Sequence, residues 1–262
     1  MKYLLLLLLL ASAPAVYSQT DLMDWGNEVT DNKSKEEVVK QYEFAPQWLD
    51  DKFVISGKMD ISGKSAHDIF QLLLSWVAET YPEANKVIVK VDDSGKRLLV
   101  NTAYISKEYK GSGTFYELNT VFQAKDSELI FQQYNFKCKT LGSGLSLSYK
   151  TYPFEDLFPN LVPEKKKFAG YLKELQDMNN KLLSKICHNI LTNGNYLTVA
   201  HWDAINNKVP VLGMNHTECI LSIGRPEKIN NTILDGKQLE QWVYSTNKYV
   251  YFDNGVLYSM QF

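Results

Sequence analysis

From residue 53 onward the chain switches between two hydrophobic periods. Phe53, Ile55, Gly57, Met59 and Ile61 alternate with Ser56, Lys58 and Asp60, and a period of two predicts a half-buried strand. Ser65-Ala66-His67-Asp68 then reads as a helix start, a hydroxyl N-cap with an acid three residues on. The helix over 69–80 is apolar on more than one face, through Phe70, Leu73, Leu74, Trp76 and Val77, and Pro82 stops it. Val87, Val89 and Val91 alternate next, and Asp93-Ser94-Gly95 turns the chain into a strand over 98–105. Two longer strands follow at 114–123 and 129–139, joined at Lys125-Asp126-Ser127. In the second, Tyr134, Phe136 and Cys138 are expected on one face, with Asn135, Lys137 and Lys139 on the other. A Gly/Ser/Pro-rich loop runs to about residue 161, and Pro163 opens a long helix. Its stripe is Phe168, Tyr171, Leu172, Leu175, Met178, Leu182, Ile186 and Ile190, in steps of mostly three and four. The predicted order β-α-β-β-β-β-α describes an α+β domain, one antiparallel sheet with helices on one face.

Thr192-Asn193-Gly194-Asn195 breaks the pattern and marks a boundary between domains at 48–191 and 195–262. A short helix is expected over 199–205. The next helix is punctuated at both ends: Asn215 caps it, Glu218 reaches back, Gly224 takes the left-handed C-terminal position and Pro226 blocks continuation. Short strands then alternate with turns at Asp235-Gly236, Thr246-Asn247-Lys248 and Asn254-Gly255. Asp-Gly and Asn-Gly favour two-residue hairpins, because both central residues need positive φ. Trp242, Tyr244, Tyr249, Tyr251, Phe252 and Tyr258 fall on these strands, making a second, smaller α+β unit.

The N-terminus adds a compartment. Lys2, the apolar run from Leu4 to Leu10, and the small residues Val16 and Ser18 read as a secretory leader over 1–18, cleaved before Gln19. The run falls short of the roughly 20 apolar residues a spanning helix needs, so no stable membrane anchor is expected. Residues 19–47 read as a mobile polar lead-in, with a short helix over 35–41. The formal net charge of −2 becomes −3 once Lys2 is removed, which offers no general field for nucleic acid or anionic lipid.

The segment 202–262 resembles the small periplasmic domain of the BamE/SmpA type, similar in shape to β-lactamase inhibitory protein repeats. The resemblance rests on Gly213-Met214, the short helix to Ile223, Gly224-Arg225-Pro226, Glu240-Gln241-Trp242-Val243-Tyr244 and Tyr251-Phe252-Asp253-Asn254-Gly255-Val256. BamE-type proteins are lipoproteins, whereas this chain has no lipid-accepting cysteine beside its leader. The element order of 53–190, with Tyr152-Pro153-Phe154-Glu155 before the last helix, looks like a TBP-like-fold domain of unknown function found in exported proteins of Gram-negative bacteria. TBP-like names a shape, and in an exported acidic chain it implies no DNA binding.

Catalytic chemistry finds little purchase. Cys187 and His188 are adjacent in a helix and point about 100° apart, and the sequence has no Gly-x-Ser-x-Gly elbow. Asp50-Asp51, Asp92-Asp93 and Glu155-Asp156 sit at turns or strand ends, where acids are common. His67, His188, His201 and His216 are scattered without HxH or HExxH spacing. The three cysteines, Cys138, Cys187 and Cys219, leave at least one thiol unpaired, and at least two are expected to be packed as small hydrophobes. No catalytic residue, metal or cofactor is expected. The expectation is a non-enzymatic periplasmic or secreted binding or scaffold protein engaging an envelope protein partner, with Trp242, Tyr244 and Tyr251 as candidate anchors. The alternative is a carrier holding a small hydrophobic ligand between the sheet and the long helix.

Overall fold

The computed structural model describes residues 42–49, 51–106, 114–141, 149–157, 166–192, 198–234 and 236–262. The leader over 1–18, the helix over 35–41 and the helix opening at Pro163 lie outside the described residues.

Strand β1 (Tyr42–Leu49) pairs antiparallel with β2 (Lys52–Asp60), Tyr42 facing Met59 and Leu49 facing Lys52. Residues 42–47, expected in the polar lead-in, are therefore part of the sheet. Their local sequence is weakly periodic, and cross-strand pairing supplies what propensity does not. Helix α1 (Ala66–Thr80) starts where its cap signature predicts. Ser65 Oγ accepts the Asp68 N–H at 3.1 Å, and Asp68 Oδ2 accepts the Ser65 N–H at 3.4 Å.

The short α2 (Ala84–Val87) leads into β3 (Ile88–Asp92), then β4 (Arg97–Ser106), β5 (Thr114–Lys125), β6 (Glu128–Leu141) and β7 (Tyr149–Pro153). The Val87/Val89/Val91 alternation does not hold. Val87 closes a helical turn, a register shift falls between Ile88 and Lys90, and Ile88 and Val91 face the core while Val89 is exposed. The sheet runs β1-β2-β6-β5-β4-β3, with β7 on the far half of β6, and every pairing is antiparallel.

In β6 the expected grouping of Tyr134 with Phe136 and Cys138 is also overturned. Asn135 has φ 57°, and the register against β5 shifts between Glu117 and Asn119. A bulge places two residues opposite one and reverses the alternation. Leu129, Phe131 and Gln133 point inward before it, and Phe136 and Cys138 after it, while Tyr134 pairs with Asn119 and is only half-buried. Asparagine tolerates the left-handed conformation better than other non-glycine residues.

Beyond β7, α3 (Phe154–Leu157) presses Phe154 against Phe53 at 4.6 Å, and Glu155 accepts the Phe53 N–H at 3.1 Å. Helix α4 (Lys166–Thr192) packs on α1 and buries Leu175, Leu182, Leu183, Ile186 and Ile190. Tyr116 on β5 donates to Glu174 on α4 at 2.8 Å. Among the described residues no helix is long and apolar enough to cross a membrane.

Helices α5 (Trp202–Asn207) and α6 (His216–Ile223) precede a second antiparallel sheet, made of β8 (Lys228–Leu234), β9 (Lys237–Ser245), β10 (Lys248–Asp253) and β11 (Val256–Gln261) in the order β11-β10-β9-β8. Asn215 and Glu218 form the expected capping box, and Gly224 has φ 86°. The boundary expected at 192–195 separates the two sheets but not their cores. Helix α6 packs against α1 and α2, and one hydrophobic cluster runs from Phe53 to Leu257. Arg225 extends the join, donating through one terminal nitrogen to the carbonyls of Ala78 and Glu79 at 2.9 and 2.7 Å.

Candidate functional site

Strand alternation in the second sheet separates the three aromatics marked by sequence. Glu240, Trp242 and Tyr244 share the face turned toward α6. Trp242 is 3% exposed, stacked on His216 at 4.9 Å and 4.6 Å from Phe252, with Nε1 donating to Glu240 Oε2 at 2.9 Å. Tyr244 packs on the same core and donates its hydroxyl to the Gly224 carbonyl at 3.0 Å. Both are held in the interior, because their polar atoms are satisfied there and their rings are part of the packing. Tyr251 pairs with Gln241 and stands on the opposite, open face.

That open face carries a ladder across three strands. Asn230 Nδ2 donates to Gln241 Oε1 at 2.9 Å, and Gln241 Nε2 donates to the Tyr251 hydroxyl at 3.2 Å. The ladder leaves Tyr251 with an O–H to give and Asn230 with a carbonyl to receive. Beside it Tyr258 lies 6.4 Å from Tyr251, ring centre to ring centre, and is 51% exposed. Tyr251 pairs with Ser259 and Phe252 with Leu257, so Tyr258 is the extra residue of a bulge, the device that re-aims a side chain at a sheet edge. Lys237 and Asp253 add an ion pair at 3.2 Å. Asn230, Gln241 and Tyr258 were not marked from sequence. Counting outward from the Thr246-Asn247 turn would set Tyr251 opposite Trp242. The register shift between Val243 and Ser245 that brings Gln241 there, like the bulge at Tyr258, has no local signal.

A second polar concentration lies before α6. His201 Nδ1 is 2.9 Å from the buried Glu218 Oε1, at the edge of an open cleft of about 600 Å³ lined by residues 200–204, Asn207, Val209 and Val211. The pair resembles a base with its orienting carboxylate, yet His201 Nε2 hydrogen-bonds to none of the described residues. None of Cys138, Cys187 and Cys219 is in a disulfide, and all three are buried. Burial pushes those of Cys138 and Cys219 up to about 12 and raises that of Cys187, which keeps them protonated and poor nucleophiles. Among the described residues no three His, Cys, Asp or Glu side chains gather into a metal-holding group.

No protein-family model matches the chain, and no curated protein matches it. Among solved structures, a TBP-like protein from Parabacteroides distasonis is similar at a TM-score of 0.46 and 14% identity, over 56% of this chain and 97% of that one. A DUF4468 family protein from Bacteroides ovatus is similar at a TM-score of 0.46 and 13% identity, over 58% of this chain and 94% of that one. The α+β architecture itself rests on the two antiparallel sheets and their helices.

Proposed function

We propose that the chain is a non-enzymatic binding protein that docks an envelope protein partner on the open face of its second sheet, around Tyr251 and Tyr258. The observation that carries this reading is the Asn230–Gln241–Tyr251 ladder beside the exposed Tyr258 ring. Rigid aromatics with a free polar tip offer large contact area at low entropic cost, which is why tyrosine is enriched at binding surfaces. Sequence adds the leader over 1–18, which supports export to the periplasm or beyond. The helix followed by antiparallel hairpins agrees with a BamE/SmpA-like arrangement of 202–262. Trp242 and Tyr244 serve this surface from beneath, as its packed support. The carrier alternative draws no support from the layer between the first sheet and α4, where Leu175, Leu182, Leu183 and Ile186 are buried in the common cluster.

The test is a photo-crosslinking amino acid placed at Tyr258 in the full chain, expressed in its native cells, with the same label at the exposed Asp177 of α4 as control. A defined protein adduct is expected at position 258 and not at 177. Tyr251→Ala is expected to reduce it at least tenfold, as loss of a hot-spot aromatic of about 2 kcal/mol would. Equal background labelling at both positions would reject the docking face.

A further inference from the structure

Among the described residues the two sheets have five edge strands, β1, β3 and β7 in the first and β8 and β11 in the second. Four of them are blunted, β7 by being only five residues long and ending in Pro153. Asn206 closes β3: its side chain accepts the Val91 N–H at 2.8 Å and donates to the Val91 carbonyl at 2.9 Å. Strand β1 carries Pro46, which has no N–H, and the charged Glu43. The start of β11 is taken up by residues 213–215: Gly213 N–H donates to the Leu257 carbonyl and Leu257 N–H to the Met214 carbonyl, both at 2.8 Å, and Asn215 bridges to Val256. Strand β8 has no proline and no described segment or side chain closing its edge, and its one charged residue, Lys228, stands at its first position. It pairs with β9 on one side and with no described strand on the other.

The free edge of β8 has a definite pattern. Leu234 faces Lys237 across a two-residue connection, so that pair closes the hairpin with hydrogen bonds. Alternation then turns the backbone groups of Lys228, Asn230, Thr232 and Leu234 toward β9. The N–H and C=O of Ile229, Asn231 and Ile233 point away from the sheet. The side chains of those three share the core-side face, where Ile229 is 46% and Ile233 81% exposed. Two isoleucines are thus spaced evenly about Asn231 on an unpaired edge.

We propose that β8 is the seam of a homodimer, in which two copies pair antiparallel about a two-fold axis through Asn231. In that register Ile229 of each copy faces Ile233 of the other, Asn230 faces Thr232, and Asn231 faces its own counterpart. Centring the pairing on Asn230 or Thr232 instead sets an isoleucine against Asn231, losing the apolar match. Charge is compatible as well: Lys228, the only charged residue in the strand, meets Leu234, so no like charges stand opposite. The axis is perpendicular to the sheet, so two four-stranded sheets join into one of eight, with both Tyr251/Tyr258 faces on the same side. The contact is isologous and closes at two copies. A single strand pair buries less than the roughly 1,600 Å² of a standard interface, so the dimer is expected to be reversible, with a Kd on the order of micromolar. The seam does not depend on whether the open face docks a partner.

Sedimentation equilibrium of the full chain tests the seam, and cysteine placement tests its register. The expected result is a monomer–dimer equilibrium that Ile233→Lys shifts at least tenfold toward monomer, with an unchanged circular dichroism spectrum. Asn231→Cys is expected to form an intermolecular disulfide on mild oxidation, since directly opposed residues stand about 5.5 Å apart. Ile229→Cys alone is expected not to crosslink, but to do so when mixed with Ile233→Cys. The native thiols are buried and do not compete. A chain that stays monomeric to high micromolar concentration would overturn the proposal. So would a dimer indifferent to Ile233→Lys, or one crosslinking equally at 229 alone and 231. A β8 edge that captures added strand peptides while the chain stays monomeric would assign the edge to a foreign segment and equally overturn the homodimer.

Discussion

Glu218 Oε1 lies 2.9 Å from His201 Nδ1 and also accepts the backbone N–H groups of Ala200 at 2.6 Å and His201 at 3.0 Å. Its other oxygen accepts the Asn215 N–H at 2.8 Å. One carboxylate, in a residue only 2% exposed, therefore ties the approach to α5 to the start of α6. Removing it leaves three backbone donors without their acceptor, each costing about 1–3 kcal/mol if buried unpaired. Glu218→Ala is expected to lose about 3–5 kcal/mol, in the range for breaking a buried charged network. Glu218→Gln, which keeps one carbonyl oxygen, is expected to lose less. Urea denaturation reads both as a lower midpoint at unchanged slope. A loss below about 1 kcal/mol for the alanine variant would contradict this account.

His216 gives the fold an acid-sensitive point. Its ring sits 4.9 Å from Trp242 and 4.5 Å from Phe252, with Nε2 3.3 Å from Glu240 Oε2. Burial lowers its pKa from the usual 6.5, and the Glu240 carboxylate opposes that shift without cancelling it. The unfolded chain therefore takes up the proton at a higher pH than the folded one does. Stability from this group is complete above about pH 6.5 and is lost as pH falls through that value toward the lower folded pKa. His216→Gln is expected to flatten the decline in urea midpoint between about pH 7.5 and 5.5. Parallel declines in the two proteins would place the acid sensitivity elsewhere.

How legible all this was depends on what each signal encodes. Caps are local, so Ser65 with Asp68, and Asn215 with Glu218 and Gly224, could be read directly. The helical stripe through Leu175, Leu182 and Ile186 was equally plain, because a long period averages over single exceptions. Strand faces are different. Alternation identifies a strand, but one bulged residue reverses every side chain beyond it. That is why alternation alone groups Tyr134 with Phe136 and sets Val89 beside Val91. The same limit applied to the site. Trp242, Tyr244 and Tyr251 look alike in composition, and only the register Gln241–Tyr251 separates the open-face residue from the two that pack inward. Asn206 closing β3 from 115 residues away had no local signature at all.

The cysteines can be checked chemically. All three are buried and none is in a disulfide, and burial holds the Cys138 and Cys219 thiols near 12. Thiolate, the reactive form, is scarce and shielded in the folded protein. Under native conditions near pH 8, an aromatic disulfide reagent is expected to label none of them within minutes, and to label all three in denaturant. One thiol reacting rapidly in the folded state would identify an open site that the packing around Met214, Tyr116 and α4 does not predict.

Gly57 decides whether β1 joins the sheet. It pairs with Phe44 on one side and Phe131 on the other, and the Phe131 ring and the Phe44 Cβ close over the space a side chain would fill. A Cβ there would collide with the Glu43 carbonyl oxygen and stand 2.6 Å from both Phe131 Cζ and Phe44 Cβ. Backbone cannot yield as a flexible side chain does, so Gly57→Ala is expected to push β1 off β2. Overpacking of this kind costs about 1–3 kcal/mol. The loss should be local, because β2 keeps its pairing with β6, and among the described strands β1 pairs only with β2. Amide hydrogen exchange should therefore quicken across Tyr42–Leu49 while β9 and β10 keep their protection. Unchanged protection in β1 would mean that Phe44 and Phe131 move aside more easily than their packing indicates, and equal loss in both sheets would mean that β1 supports the whole molecule.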